Sequence, residues 1–181
     1  AISKINDKDE QELFLETQKK YKDFNAIENQ LASLFKHIKY YNNQFNSPDV
    51  VTMLTNIDYD SRVIYTDSLL LISLDSYLGS KHIFYNDYPA YIKQNNKPAR
   101  IVVDVANTII DNQITVASNR SFVGKMVNEG KKMYLLDLYL PELSDDLKIG
   151  YTNEKLEWAV LNEEDVWMYF IEKKLLFDSS S

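Results

Sequence analysis

The sequence predicts an α+β fold that is mostly helical, with a small three-stranded sheet packed on helices. Apolar residues recur at helical spacing along most of the chain, which is the pattern of amphipathic helices. Three short aliphatic or β-branched runs in the first half predict strands at about residues 50–55, 63–66 and 69–74. Because 181 residues is a usual length for one domain, we expect a single domain over residues 1–181.

The clearest amphipathic helix is predicted to begin near Asn25, because Asn25 and Glu28 have the spacing of a capping box. Before it, residues 7–21 predict a charged helix whose narrow apolar stripe places it near the surface. The apolar positions of the clearest helix follow the helical period and predict one buried face: Ile27, Leu31, Leu34, Phe35 and Ile38.

The strand region is centred on the longest apolar run of the chain, at residues 69–74. A run that is apolar at nearly every position predicts a strand covered on both faces. Asp67 and Ser68 predict a tight turn that joins the second and third strands. The run ends in the polar and aromatic sequence DSYLG at residues 75–79.

Helices are predicted again after the strands. Pro89 and Pro98 each suit the first turn of a helix, and the second of these helices reaches Ile110. Ser118 or Ser121 is predicted to cap the helix that follows. The apolar face predicted for the helix after Pro98 consists of Ile101, Val102, Val105 and Ile109.

The last third of the chain is predicted to be helical as well. Gly130 lies inside a helix at a cost of about 1 kcal/mol relative to Ala, which predicts a close neighbour on that side. Thr152 is predicted to begin the last helical region, and Asn162 a second start within it. The side chains predicted to be buried there are Trp158, Leu161, Trp167, Phe170, Ile171 and Leu175.

The composition excludes several classes of protein. A net charge of −7 disfavours a nucleic-acid surface, which needs a basic stripe to displace phosphate counterions. The chain has no cysteine, which excludes disulfides and thiolate metal sites. Its apolar runs fall short of the roughly 18 residues that span a membrane, and its N-terminal sequence lacks the pattern of a signal peptide.

The sequence contains no recognisable catalytic motif. His37 and His82 do not form the HExxH pair that binds zinc, and neither a GxSxG motif nor a glycine-rich phosphate loop is present. We therefore predict no catalytic residue, no metal site and no cofactor. Acids that border apolar residues are more often solvated helix residues than catalytic pairs: Asp75, Asp104, Asp111, Glu129 and Asp137.

Several stretches occur in an order and spacing that is specific as a set. They include LFKHIKYY at residues 34–41, LDSYLG at 74–79, KMVNEGKKMYLLD at 125–137 and residues 167–176. Together they resemble the gliding motility lipoproteins of the GldB type from Bacteroidetes, over roughly residues 18–177. The resemblance implies that an N-terminal anchor and a C-terminal family segment lie outside the chain.

This family is also similar to the gluzincin metallopeptidases, which implies a zincin-like scaffold. The HExxH motif of those enzymes would fall on residues 103–107, and their later glutamate ligand on Glu129. Val103 cannot ligate a metal, and Asn107 stands where a histidine would be needed. The resemblance therefore implies a degenerate cleft formed by Asp104, Asn107 and Glu129, without a metal.

The resemblance also places the sequence DSYLG in a turn beside this cleft. We expect Asp75 and Tyr77 to order that loop and not to catalyse a reaction, and His82 to be held in it by local hydrogen bonds. The two hypotheses for residues 75–82 are thus a structural role and a catalytic role, and the structural one is preferred.

The leading functional hypothesis is a non-catalytic envelope lipoprotein domain that binds a partner protein or peptide on a peptidase-like scaffold. The resemblance implies partners in the gliding or secretion machinery, and attachment to the membrane only through a removed N-terminal lipid anchor, the chain itself being soluble. One alternative is a hydrolase that uses Asp104 and Glu129 as a carboxylate pair. Another alternative is a purely structural assembly component, which would show a large exposed apolar patch.

Overall fold

The computed structural model of the chain describes residues 7–115 and 121–178. Its contacts divide the chain into two compact units, Ala1–Ile109 and Ile110–Ser181. The first unit holds the sheet and the second is helical in its described residues. The mostly helical α+β class is therefore confirmed, and the single domain over residues 1–181 stays a prediction.

The first unit begins with two helices, α1 (Lys8–Lys20) and α2 (Asn25–Tyr41). Asp7 caps α1, because its carboxylate accepts hydrogen bonds from the N–H groups of Asp9 and Glu10. The predicted buried face of α2 is confirmed: Ile27, Leu31, Leu34, Phe35 and Ile38 are all buried. The capping box is wrong, because Phe24 occupies the cap position and makes no side-chain capping bond.

Three strands form one mixed sheet: β1 (Asp49–Met53), β2 (Val63–Tyr65) and β3 (Leu69–Ser73). They lie in the order β1-β3-β2, with β1 parallel and β2 antiparallel to β3. The predicted tight turn is present, since the N–H of Thr66 donates to the carbonyl of Leu69 across it. The longest apolar run forms β3, as predicted, and its residues are buried or partly buried, as expected of a strand covered on both faces.

A connecting region leads from the sheet to the central helix of the chain. It contains 3₁₀ turns at Leu74–Tyr77, Ile83–Tyr85 and Pro98–Arg100, with the short helix α3 (Ala90–Lys93) between them. The helix α4 (Ile101–Gln113) follows, and the division between the two units falls within it. Its predicted apolar face is buried, and Val103, Ala106 and Ile110 are buried as well.

The second unit contains α5 (Phe122–Tyr139), α6 (Asp145–Ile149), α7 (Asn153–Leu161) and α8 (Glu163–Glu172). Ser121 caps α5, since its hydroxyl accepts from the N–H of Gly124; the alternative cap, Ser118, lies outside the described residues. Two further amide groups at the start of α5 donate to the carbonyls of Leu176 and Asp178. No described helix is long and apolar enough to cross a membrane.

The prediction of a buried side on α7 and α8 is wrong in most of its residues. Trp158, Leu161, Trp167 and Ile171 have 59%, 84%, 40% and 59% of their surface exposed, and only Phe170 and Leu175 are partly buried. An apolar pattern identifies one face of a helix, but burial needs a packing partner over that face.

The prediction of a close neighbour beside Gly130 is also wrong. A Cβ atom built on Gly130 would meet no heavy atom of the described structure within 4 Å. Gly130 is exposed in the interior of α5, so this glycine carries its helix-propensity cost without a packing reason.

Candidate functional site

Asp104 lies on the first turn of α4 and is held by two arginines. Arg100, one turn earlier on the chain, places Nη2 at 2.8 Å from Oδ1 of Asp104. Arg62, which precedes β2, places Nη1 at 3.6 Å from Oδ2. All three side chains are at least 85% buried, with exposures of 15% for Asp104, 9% for Arg100 and 10% for Arg62.

Tyr77 completes this group, which we call the Asp104 cluster (Asp104, Arg62, Arg100 and Tyr77). The Tyr77 hydroxyl donates to Oδ2 of Asp104 at 2.9 Å. Burial raises the pKa of Tyr77 far above its ordinary value, and the neighbouring charge of Asp104 raises it further. Tyr77 is therefore a neutral hydrogen-bond donor, which suits a carboxylate acceptor.

Arg62 also ties the cluster to the loops around it. Its guanidinium lies 4.8 Å from the ring centres of both Tyr59 and Tyr77, within the range of cation–π contacts. Its Nη2 donates to Oδ1 of Asn96 at 2.6 Å, and the carbonyl of Asn96 accepts from the N–H of Gly79. One arginine thus joins the β2 region, the 74–79 turn and the segment before α4.

Both oxygens of Asp104 are occupied by donors from the protein itself. A general acid or base needs at least one oxygen directed at a substrate or a water molecule. The geometry of Asp104 is instead that of a buried ion pair, in which removal of one charge leaves the other uncompensated. The arrangement cross-links four segments of the first unit.

Asp75 is fully buried and holds the loop that follows β1. Its Oδ2 accepts from the N–H groups of Thr55 at 3.1 Å and Ile57 at 2.8 Å. Burial raises the pKa of Asp75, although these hydrogen bonds act in the opposite direction. Asn56 and Ile57 have φ values of 58° and 61°, in the left-handed region. This conformation is rare for a β-branched residue such as Ile57.

Tyr85 holds the two ends of the 74–79 turn together. Its hydroxyl donates to the carbonyl of Asp75 at 2.5 Å and accepts from the N–H of Leu78 at 2.9 Å. Burial raises the pKa of Tyr85, which keeps the hydroxyl protonated as this donor role requires.

His82 lies between this turn and α1. The backbone N–H of His82 donates to the carbonyl of Gly79, and its ring Nδ1 accepts from the backbone N–H of Phe84 at 3.5 Å. Its Nε2 lies 3.8 Å from a carboxylate oxygen of Glu16. These contacts are local, and they leave both ring nitrogens of His82 directed at protein groups.

The other two residues of the expected degenerate cleft have different surroundings. Asn107 is half-buried on α4, one turn after Asp104. Glu129 belongs to the second unit, where its 61% exposed side chain lies 3.4 Å from Nζ of Lys132. Lys132 also binds Asp111 at 2.8 Å, and this hydrogen bond is the main cause of its raised pKa. Within the described ranges, no three His, Asp or Glu side chains are grouped as a metal site requires.

A groove of two adjoining cavities lies beside β1 in the first unit, and we call it the β1 groove. The cavities have volumes of about 490 and 390 Å³, within the range of ligand pockets. They share Tyr21, Thr52 and Leu74 in their walls. The first is lined mainly by apolar side chains of α2. The second is lined by Phe14, Thr17 and Gln18 of α1 together with Met53 and Leu54.

Sequence reasoning missed Arg62 and the β1 groove. Arg62 is one of three arginines among the 20 basic residues, and arginine suits buried pairing with a carboxylate better than lysine does. That scarcity was a usable signal. The groove had no such signal, since it depends on which helices pack near which strand.

Comparisons with known proteins place the chain in a family. A family profile described as gliding motility protein GldB matches residues 1–181, the whole sequence. Searches of curated proteins and of solved structures find no match, so the similarity to gluzincins has no support from a known fold. Because the profile covers the full length, the chain belongs to the GldB family of gliding motility lipoproteins.

Proposed function

We propose that this protein is a non-catalytic envelope component of the gliding machinery that binds a partner protein or peptide. The family supports a role in motility and an envelope location, as its members are lipoproteins. The observation that carries the binding role is the β1 groove, a concave and mainly apolar site beside a sheet edge.

The pairing of Asp104 supports the absence of catalysis. Two guanidinium groups and a phenol surround its carboxylate, so the acid at the position of a peptidase motif serves to hold the fold. On this proposal Asp75, Tyr77 and His82 order the loops around it. Asp104, Asn107 and Glu129 do not act as a catalytic set.

Site-specific photocrosslinking in living source cells tests the binding role. A photoreactive amino acid replaces Ala32, an exposed residue in the wall of the groove, and in a control strain it replaces Asp87, which is exposed elsewhere on the first unit. We expect a covalent adduct with a discrete partner from position 32 and none from position 87. Absence of an adduct at position 32, or identical adducts at both positions, would contradict the binding role.

The hydrolase alternative has its own test. If Asp104 and Glu129 act together as a catalytic pair, the unmodified protein should cleave a peptide library. Glu129→Gln, at a side chain that is 61% exposed, should then abolish that cleavage without unfolding the protein. Under the proposed function, we instead expect no cleavage by the unmodified protein and no stoichiometric zinc in it. Cleavage that is lost in Glu129→Gln would establish the hydrolase.

A structural assembly role is favoured by a separate observation, the exposed apolar side chains of the second unit. Clusters of such residues commonly mark protein contacts. If this unit drives assembly, the double variant Leu161→Lys and Ile171→Lys should no longer join the envelope complex. The crosslinked adducts from position 32 should then disappear as well. Retention in the complex would favour binding through the first unit.

A further inference from the structure

We propose that the β1 groove binds an extended peptide segment that adds a strand to the open edge of β1 and carries a lysine or arginine toward Glu28. This inference rests on the proposed binding function and names the chemistry of the partner. Its basis is the backbone geometry of β1, the shape of the groove and the charge at its rim.

The outer edge of β1 presents backbone groups that a peptide can bind. The N–H of Asp49 donates to the carbonyl of Ser68, so the backbone N–H and C=O groups of Asp49 point toward β3. By alternation along the strand, the backbone groups of Val51 and Met53 point toward β3 as well. The N–H and C=O groups of Val50 and Thr52 are therefore directed away from the sheet. Across residues 7–115 and 121–178, no backbone or side-chain group pairs with these four groups.

The open edge of β1 lacks three of the features by which proteins usually protect such edges, and its one charged residue is Asp49 at the first position. Proline, lysine and bulges within an edge strand discourage pairing with another chain. The five residues of β1 include none of these, and Val50 and Val51 are 38% and 46% exposed. An exposed, regular and apolar edge is the surface to which extended peptides add as a further strand.

The groove provides space for the side chains of such a strand. Val50 and Thr52 line the first cavity, and alternate residues of a neighbouring strand point to the same face. Every second side chain of the added segment would thus enter the cavities, against Leu31, Phe35 and Leu74. Apolar side chains are the complement of such walls.

Glu28 defines the charge of the partner. It is the sole charged residue among the described side chains that line the two cavities, and it is exposed at the rim of the first. No cation of the described ranges forms an ion pair with it. A basic residue at one end of the segment would meet this charge.

A phage-displayed library of random heptapeptides provides the first test, with the whole chain as the target. We expect enrichment of peptides with apolar or β-branched residues at alternate positions and a lysine or arginine near one end. The Ala32→Phe variant, which fills the first cavity from an exposed site, should enrich none of them. Enrichment of acidic or helix-patterned peptides, or equal enrichment on Ala32→Phe, would overturn the inference.

The most enriched peptide, synthesised with a fluorescent label, tests the geometry. N-methylation of its alternate amides in one register should weaken binding at least tenfold, and in the other register much less, because only alternate amides face β1. Glu28→Lys should also weaken binding at least tenfold, while the matched charge reversal Asp87→Lys should not. Equal losses in both registers, or equal effects of the two charge reversals, would overturn strand addition.

The crosslinking experiment separates failure of this inference from failure of the proposed function. Adducts from position 32, together with a library that enriches no extended basic peptide, would overturn strand addition and leave the binding role intact. Absence of adducts together with an enriched peptide would contradict the role in cells and support the groove chemistry.

Discussion

The two units of the chain bury their apolar residues to very different extents. Within the described ranges, all but four of the buried apolar side chains belong to the first unit. The second unit exposes Trp158, Val160, Leu161, Ile171 and Phe177, each by more than half of its surface. The first unit therefore has the core of a stable domain, and the second presents apolar surface.

The charged residues differ in the same way. In the first unit, Asp104 and its arginines are at least 85% buried. In the second unit, Lys148 is buried but its partners Asp137 and Asp145 are 62% and 76% exposed. Since desolvation decides how much an ion pair matters, similar-looking pairs should have different effects on stability. Burial, more than the presence of an ion pair, should therefore determine how much each of these residues contributes to stability.

The largest effect is expected at Asp104. Asp104→Ala leaves Arg62 and Arg100 buried without a counter-charge and should lower the free energy of unfolding by about 3–5 kcal/mol. The matched change in the second unit, Asp137→Ala, should cost at most about 1 kcal/mol. Denaturant unfolding followed by circular dichroism measures both, and equal losses would break the contrast between the units.

The next largest effect is expected at Asp75. Asp75→Ala leaves the N–H groups of Thr55 and Ile57 without an acceptor, which should cost about 2–4 kcal/mol in total. Asp75→Asn keeps an acceptor oxygen at that position and should lose much less. Denaturant unfolding of both variants measures these losses. A loss of unfolding free energy in Asp75→Asn as large as that in Asp75→Ala would contradict the role of the hydrogen bonds.

Asp75 should also produce a pH dependence of known sign. Burial raises its pKa above the ordinary value of 3.8, so the folded state binds the proton more tightly than the unfolded chain. Its contribution to stability therefore decreases as pH rises from about 4 through the raised pKa. Relative to the wild type, Asp75→Asn should become more stable across this window. An unchanged difference in unfolding free energy over that pH range would contradict the raised pKa.

A smaller, stabilising effect is expected at Gly130. Because no described residue lies within 4 Å of a Cβ built there, Gly130→Ala should raise the free energy of unfolding by about 1 kcal/mol. The matched control is Gly150, which ends α6 with a φ of 79°, a conformation that glycine adopts without strain. Gly150→Ala should destabilise by about 1 kcal/mol. Thermal unfolding of both variants should show shifts of opposite sign.

The smallest effect is expected at Leu161, which is 84% exposed. Leu161→Lys should change the free energy of unfolding by no more than about 0.5 kcal/mol. In the same unit Leu136 is 4% exposed, and Leu136→Ala should cost about 2–5 kcal/mol. A large loss of unfolding free energy in Leu161→Lys, measured by denaturant unfolding, would contradict the exposure of this side chain.

The sequence was sufficient for much of the first unit. The helical period identified the buried face of α2 because five apolar residues recur at helical spacing. The aliphatic and β-branched runs located all three strands within two residues at their ends. The order of the strands could not be predicted, because β1 pairs with β3 although β2 lies between them in the sequence. Non-adjacent pairing depends on packing that no local pattern records.

Other parts could not be predicted for physical reasons. The partners of Asp104 include Arg62, 42 positions earlier by residue number, and no local spacing signals such a contact. The exposed residues of α7 and α8 had the pattern of a buried face, because amphipathic sequence is the same whether or not a partner covers it. The roles of Asp75, Tyr77 and His82, and of the Asp104 set, stay predictions.

The open edge of β1 has a thermodynamic consequence for the whole chain. Because β3 is the only strand in the described part of the chain that pairs with β1, the four outward backbone groups have their arrangement only when the first unit is folded. A ligand that binds this arrangement stabilises the folded state by linkage, by about 2.7 kcal/mol at a hundredfold excess over Kd. Occupancy would thus slow hydrogen exchange in the first unit selectively, and partner supply would set how long each copy of the protein persists against proteolysis.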